Sequence, residues 1–355
     1  MSLQLDHYRL LGRSGLRVSP LSLGTMTFGA GAGWGSTDED AARIIDSYIE
    51  RGGNFIDTAN FYGQMGGSET LLGRLLAERR EKLVLATKYT LTTRPGDPNA
   101  SGNQRKNMVR SVEASLQRLR TDHIDVLYLH MWDFRTPVEE ILRAFDDLVR
   151  QGKILYAGLS DTPAWQCSRM QAIADLRGWS PFVALQISYS LIERTVERDL
   201  IPMAHEMGMG VIPWSPLGGG VLSGKYSQGS LRDEQSGGLV SRKAINVATG
   251  RLSERNLAIA TIVTEIAREL GKTPAQVALA WTLLNSAVVS PIIGARTLSQ
   301  FEDNLGALEV SLSDDQIERL DSVSRVELGF PHDMLGAQFT AAAFGGVRVA
   351  LPKGG

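Results

Sequence analysis

Apolar positions along the chain fall into short runs separated by longer amphipathic stretches. The runs are LSLG (21–24), NFID (54–57), LVLATK (83–88), IDVLYLH (124–130), KILYAGLS (153–160), FVALQIS (182–188), GVIPWS (210–215) and VVSPIIGA (288–295). Each reads as a buried strand, and most recur every ~30 to 40 residues, the length of one strand plus a crossover helix and loops. The stretches between carry helical periodicity. STDEDAARIIDSYIERGG (36–53) opens with a Ser/Thr cap and acids, puts Ala41, Ile44, Ile45, Tyr48 and Ile49 on one face, and stops at glycine. TPVEEILRAFDDLVRQGK (136–153) and TPAQVALAWTLLNS (273–286) each open with Thr-Pro, which predicts a threonine cap with proline in the first turn.

Eight strands alternating with helices predict an α/β fold with a parallel sheet, and eight is the number that closes such a sheet into a (β/α)8 TIM barrel. YRLLGRSGLRV (8–18) predicts an N-terminal hairpin that plugs the barrel's N-terminal end. The spacing breaks between the seventh and eighth strands, where the glycine-rich and polar residues 217–252 predict a long lid-like loop at the C-terminal face, ahead of two further helices. One barrel domain over 1–355 is expected, with its core at about 8–335 and a small-residue tail, 336–355, read as loop or disorder.

Composition narrows the partners. The 355 residues are 43% hydrophobic and 21% charged with a formal charge of -2, and no Lys/Arg-rich run marks a nucleic-acid or anionic-membrane surface. No apolar run approaches the ~20 residues of a membrane span. A small-molecule ligand is expected. The single cysteine, Cys167, suits a reducing compartment and a cytoplasmic location, and the five scattered histidines show no ligand spacing, so no metal is expected.

Barrel enzymes place their chemistry where strands run into the following loops. The strand ends here offer Asp57 with Tyr62 just beyond, Lys88, His130, Ser160 with Asp161, Gln186, Trp214 with Ser215, and Arg296. Singly, each has a bland reading: Asp57 as a turn cap, Tyr62 packed under a loop, Lys88 in solvent, His130 as a satisfied near-core histidine. Together they suggest a device. Lys88 ending an apolar strand beside a strand ending in Asp57 predicts a paired charge, since an unpaired ammonium in a barrel mouth is costly to desolvate. An adjacent ammonium is expected to lower the pKa of Tyr62 from ~10 and make it a usable acid, with His130 hydrogen-bonding the oxygen of a bound carbonyl.

Asp57, Tyr62, Lys88 and His130 resemble the catalytic tetrad of the aldo-keto reductases. The resemblance extends over about residues 8–335 through LGRSGLRVSPLSLGTMTFG (11–29), DTANFYG (57–63), WSPLGGGVLSGKY (214–226) and IIGARTLSQFEDNL (292–305). It is similar to the bacterial and potassium-channel-β-like branch in particular. The resemblance implies NADPH extended across the barrel mouth, and no GxGxxG follows a strand to suggest a Rossmann site instead. It implies Gly24, Thr25 and Met26 beneath the nicotinamide ribose, Ser160, Asp161 and Gln186 at the carboxamide, and Trp214 stacking on the ring. Asp57 is carried as a cofactor neighbour too. Ser215, Leu217, Gly219 and Lys225 match the pyrophosphate strap, and Gly294, Arg296, Gln300, Asp303 and Asn304 match the adenosine end.

Asp161 departs from the family's usual asparagine, replacing a donor and acceptor by a group that only accepts when ionised. Trp34, Phe61, Trp132 and Phe134 are candidates for an apolar substrate pocket. The reading is NADPH-dependent reduction of an aldehyde or ketone with Tyr62 as general acid. The alternative is a non-catalytic NADPH-binding regulatory subunit. A barrel isomerase or hydrolase would need a base or metal that the sequence does not offer.

Overall fold

The computed structural model describes residues 3–29, 35–227, 229, 242–335 and 337–347. The chain begins with a two-stranded antiparallel hairpin, β1 (Arg9–Leu10) and β2 (Arg17–Val18). Eight parallel strands follow: β3 (Ser22–Gly24), β4 (Phe55–Asp57), β5 (Val84–Tyr89), β6 (Ile124–Leu129), β7 (Ile154–Ser160), β8 (Phe182–Ser188), β9 (Gly210–Trp214) and β10 (Ile292–Ile293). Each strand from β3 to β8 pairs with the next, and β10 returns to pair with β3. The remaining gap is bridged just before β10, where Val211 N–H donates to Ala287 O at 2.9 Å and Val289 N–H donates back to Val211 O at 2.9 Å. The predicted eighth strand is thus split in two around Pro291, which has no N–H to give to a ladder. The fold is a nearly closed (β/α)8 barrel with flanking helices.

Two-residue alternation along the strands sorts the apolar residues into two layers. One layer fills the lumen: Phe55 of β4, Val84 and Ala86 of β5, Val126 and Tyr128 of β6, Ala184 of β8 and Ile212 of β9. The other, larger layer lies between sheet and helices and holds Ile56, Leu85, Leu127, Leu129, Leu185 and Ile187. The hairpin closes the lumen from below as expected. Leu11 packs into the inner layer, and Gly12 (φ +56°) lies so close to the barrel floor that a Cβ there would meet Val183 O at 2.2 Å.

The helix expected over 36–53 forms at Asp38–Glu50, capped by the Thr37 side chain on Asp40 N–H, with Ala41, Ile44, Ile45 and Tyr48 buried. Helix Pro274–Thr282 has the predicted Thr273 cap, reinforced by Gln276 in a capping box. The matching expectation at 136–153 is corrected. There Pro137 itself takes the cap position of helix Val138–Arg150, because the Thr136 hydroxyl is already engaged with Asp133 Oδ2 at 2.7 Å. The loop after β9 carries a 3-10 turn, Gly218–Ser223, and a helix, Arg242–Ala248, followed by helix Glu254–Leu270. The tail reading is also corrected within the described residues. AQFTAAA forms helix Ala337–Ala343, where alanine's high helix propensity outweighs the small-residue signal for loop. No helix among the described residues is long and apolar enough to cross a membrane.

Candidate active site

The inward alternation that fills the lumen also sets the chemistry above it. Two residues beyond Phe55 stands Asp57, beyond Ala86 stands Lys88, and beyond Tyr128 stands His130. The same step leads from Ala184 to Gln186 and from Ile212 to Trp214. These next inward positions lie toward the strands' C-terminal ends, and all but the sealed Lys88 open on a cavity of about 1290 Å³.

Lys88 is the best-buried group of the set. Its ammonium donates to Asp57 Oδ1 at 2.5 Å and to Thr58 O at 2.8 Å, and it lies 4.8 Å from the Tyr62 ring centroid. Burial alone would lower its pKa, but the Asp57 carboxylate and the Tyr62 phenol more than offset that and hold it above the usual value. Asp57 is anchored a second time, by Gln186 Nε2 at 2.8 Å. Because β4 and β8 are four places apart in a ring of eight, this bond crosses the lumen.

Tyr62 begins the helix Tyr62–Leu75, directly before an unusual turn. Gly63, Gln64, Met65 and Gly66 all have positive φ, and a Cβ on Gly63 would meet Ser68 N at 2.5 Å. The expected lowering of the Tyr62 pKa is corrected. Burial raises it above its ordinary 10 and outweighs the downward pull of Lys88, while Asp57 and Asp161 push the same way as burial. His130 meets Tyr62 edge to face, with ring centroids 6.0 Å apart. Burial, aided by the nearby Lys88 charge, pushes His130 down to about 3 from 6.5, so its imidazole is neutral. Its Nδ1 is buried without a partner among the described residues.

Most of the sequence candidates converge on the cavity. Gly24, Met26, Asp57, Ser160, Asp161 and Gln186 line its floor, together with Tyr62, His130 and Phe61. Trp214, Ser215, Leu217, Gly219 and Lys225 line it after β9, and Gly294, Arg296, Gln300, Asp303 and Asn304 after β10. Arg296 precedes helix Leu298–Leu305, which Thr297 caps. The Asp303 carboxylate is held by Thr273 Oγ1 at 3.1 Å and Gln276 Nε2 at 3.0 Å, tying the wall to the capping box.

Four described candidates do not line the cavity, and the first is Lys88, sealed beside Asp57 and Tyr62. Thr25 does not reach the cavity, since it is fully buried with its hydroxyl donating to Asp57 O at 3.0 Å. Trp132 is packed in the outer layer, and Phe134, 69% exposed, stacks edge-on against it outside the cavity. Alternation holds only within a strand, and both residues lie in the loop beyond β6. Trp34 lies outside the described residues.

Several contacts had no clear sequence signal. Met65 and Leu91 join Phe61 as apolar lining. Asn246, fully buried, donates to Gly219 O at 3.1 Å and anchors the turn after β9. Asp161, at φ +39°, accepts from Trp214 Nε1 at 3.0 Å, which gives the unexpected acid a partner. Burial raises its pKa, against that hydrogen bond and Lys88.

The model of the Aldo/keto reductase family matches residues 20–325. The chain is similar to a norsolorinic acid reductase of Aspergillus flavus, 38% identical over 344 residues that cover 93% of this chain and 84% of the relative. It is likewise 40% identical to norsolorinic acid reductase stcV of Emericella nidulans, over 92% of this chain and 84% of the relative. An uncharacterized oxidoreductase, YrpG, of Bacillus subtilis is 40% identical over 89% of this chain and 95% of its own length. With a nearly closed barrel whose mouth gathers Asp57, Lys88, Tyr62 and His130, the chain belongs to the aldo/keto reductase family and is a nicotinamide-dependent oxidoreductase of carbonyl chemistry.

Proposed function

We propose that the chain reduces an aldehyde or ketone to an alcohol with NADPH as cofactor, and that Tyr62 is the general acid. The observation that carries this is the buried Asp57–Lys88 pair set beneath the Tyr62 ring, beside a neutral His130, on one wall of a large cavity. The cavity suits an extended dinucleotide. Gly219 and Gly220, both at positive φ, give a tight backbone cradle, and Arg296 and Lys225 bring cations to its outer walls. When bound, the reduced nicotinamide supplies the hydride.

The chain's own residues do the rest. Trp214 offers a flat face to the ring. Gln186 has its amide nitrogen turned to Asp57, so its oxygen is the atom left to accept from the carboxamide NH₂, with Ser160 and the free oxygen of Asp161 beside it. Arg296 and the following helix N-terminus receive the 2′-phosphate, with Gln300 and Asn304 at the adenosine. His130 as a neutral imidazole donates one hydrogen bond to the carbonyl oxygen, and Tyr62 transfers its proton to that oxygen. Lys88 stabilises the phenolate left behind, and Asp57 keeps Lys88 charged. Phe61, Met65 and Leu91 form the apolar rim for the substrate. The motifs after β9 and β10 support a place in the bacterial and potassium-channel-β-like branch, and the lone, buried Cys167 supports a reducing, cytoplasmic setting.

Tyr62→Phe tests the assignment. Steady-state reduction of a panel of aldehydes and ketones should fall about 10² to 10⁴-fold, while NADPH titration by tryptophan fluorescence stays near the parent value. In the parent, kcat/KM should hold flat through neutral pH and fall only beyond the ordinary phenol range, because burial raises the pKa of Tyr62. A Tyr62→Phe protein with most of the parental turnover would remove Tyr62 as the acid. A parent that binds NADPH tightly yet reduces no carbonyl would favour the regulatory reading.

A further inference from the structure

Trp214 is held at two places besides the strand that carries it. Its indole N–H donates to Asp161 at its edge, and the Arg251 guanidinium carbon lies 5.4 Å from the ring centroid, over the ring. Trp214 and Asp161 line the mouth cavity and Arg251 does not, so the guanidinium covers the indole face turned away from it. Arg251 stands in the short link between helices Arg242–Ala248 and Glu254–Leu270. That link is fixed: Asn256 Nδ2 donates to Arg251 O at 3.0 Å, and Ser253 caps the second helix. The guanidinium is half-buried and makes no ion pair among the described residues. Burial draws its pKa down and only the charge of Glu193 opposes this. A partly desolvated cation of this kind needs a partner, and among the described residues it finds the electron-rich indole face and the charge of Glu193.

We propose that Arg251 and Asp161 are positioning residues that fix the plane of Trp214 and, through their opposite charges, set which oxidation state of a nicotinamide the indole binds. The proposal rests on the reading of Trp214 as the nicotinamide platform. An oxidised nicotinamide is a cation and a reduced one is neutral. An indole whose far face already carries a guanidinium has less electrostatic attraction to offer a second cation, and the two positive charges repel across one ring thickness. Arg251 therefore disfavours the oxidised form and leaves the reduced form almost untouched. Asp161 sits at the ring's edge on the cavity side and acts in the opposite sense.

Stacking adds about 3.5 to 4 Å to the guanidinium distance, so the two cations stand about 9 Å apart. With screening for a half-exposed group, the repulsion corresponds to about a three- to tenfold weaker binding of the oxidised cofactor.

The experiment is titration calorimetry of NADPH and NADP⁺ against the full chain and four variants. Arg251→Met should tighten NADP⁺ relative to NADPH by about three- to tenfold. Arg251→Lys should keep the parental ratio, since it keeps the charge. Asp161→Asn keeps an acceptor for the indole but removes the negative charge, so it should shift the ratio the other way, weakening NADP⁺ relative to NADPH. A merely structural role would weaken both forms together, so equal changes in the two affinities for Arg251→Met, or shifts of the same sign for Arg251→Met and Asp161→Asn, overturn the proposal. Trp214→Leu separates the underlying reading: if it leaves both affinities at the parental level, Trp214 is not the platform and the proposal falls with that reading. A clear loss on Trp214→Leu with an unmoved ratio on Arg251→Met overturns the proposal alone.

Discussion

His130→Gln should make the protein less sensitive to mild acid, and the size of the effect follows from where the imidazole sits. Its pKa is pushed from 6.5 down to about 3 by burial and by Lys88. The folded state thus holds a neutral imidazole, while the unfolded chain takes up a proton as pH falls below 6.5. The sign follows from linkage: the depressed value gives stability that is fully present above 6.5 and is lost progressively as pH drops toward 3. Between pH 7 and pH 5 the loss is about 1.5 pK units of proton binding, or on the order of 2 kcal/mol. Glutamine does not titrate, so the variant escapes this loss, and every other group contributes equally to both proteins. Urea unfolding of parent and His130→Gln at pH 5, 6, 7 and 8 should therefore show the stability difference moving toward the variant by about 2 kcal/mol on acidification. A difference flat across that range, or an imidazole titration near 6.5 in the folded parent by NMR, would refute the neutral, desolvated histidine. It would also remove the reason to treat His130 as a hydrogen-bond donor rather than a cationic acid.

Two further outcomes test the walls of the cavity. Arg296→Ala should weaken NADPH about tenfold or more, the worth of one charge-assisted contact, while leaving NADH nearly unchanged in fluorescence titration; equal losses would take Arg296 out of the phosphate site. Thr273→Ala removes the cap of helix Pro274–Thr282 and the hydroxyl that Asp303 accepts from, so urea unfolding should show a loss of about 1 to 2 kcal/mol, and an unchanged midpoint would mean the cap is dispensable.

What the sequence makes legible here depends on the range of the physics involved. Strands buried on both faces read as continuous apolar runs, so all eight are visible, and the residues ending most of them, such as Asp57, His130 and Ser160, fall at the mouth. The Asp57–Lys88 pair is visible because adjacent strands end in opposite charges. The Gln186–Asp57 bond is not, since it joins opposite sides of the ring and nothing local marks it. The direction of the Tyr62 pKa escapes for a related reason: charges can be read from residue types, but the desolvation that outweighs them depends on how tightly the mouth closes. Trp132 and Phe134 show the limit of periodicity, for alternation predicts direction only as far as the strand runs. Arg251 shows another, because a residue 37 positions beyond Trp214 in sequence meets its ring only once the intervening chain folds back.

The single step between filled lumen and reactive mouth bears on how such a protein can change over generations. Leu11, Phe55, Ala86, Tyr128 and Ile212 occupy the lumen, whereas the next inward positions on β6 and β9, His130 and Trp214, are less buried and face the cavity above it. A substitution at one of those two upper positions alters a donor or a ring facing the cavity without changing the volume that the barrel must enclose. New specificities are therefore reachable one strand at a time, each step tolerable to the scaffold. Changes in the layer below are coupled through close packing and must come in compensating sets.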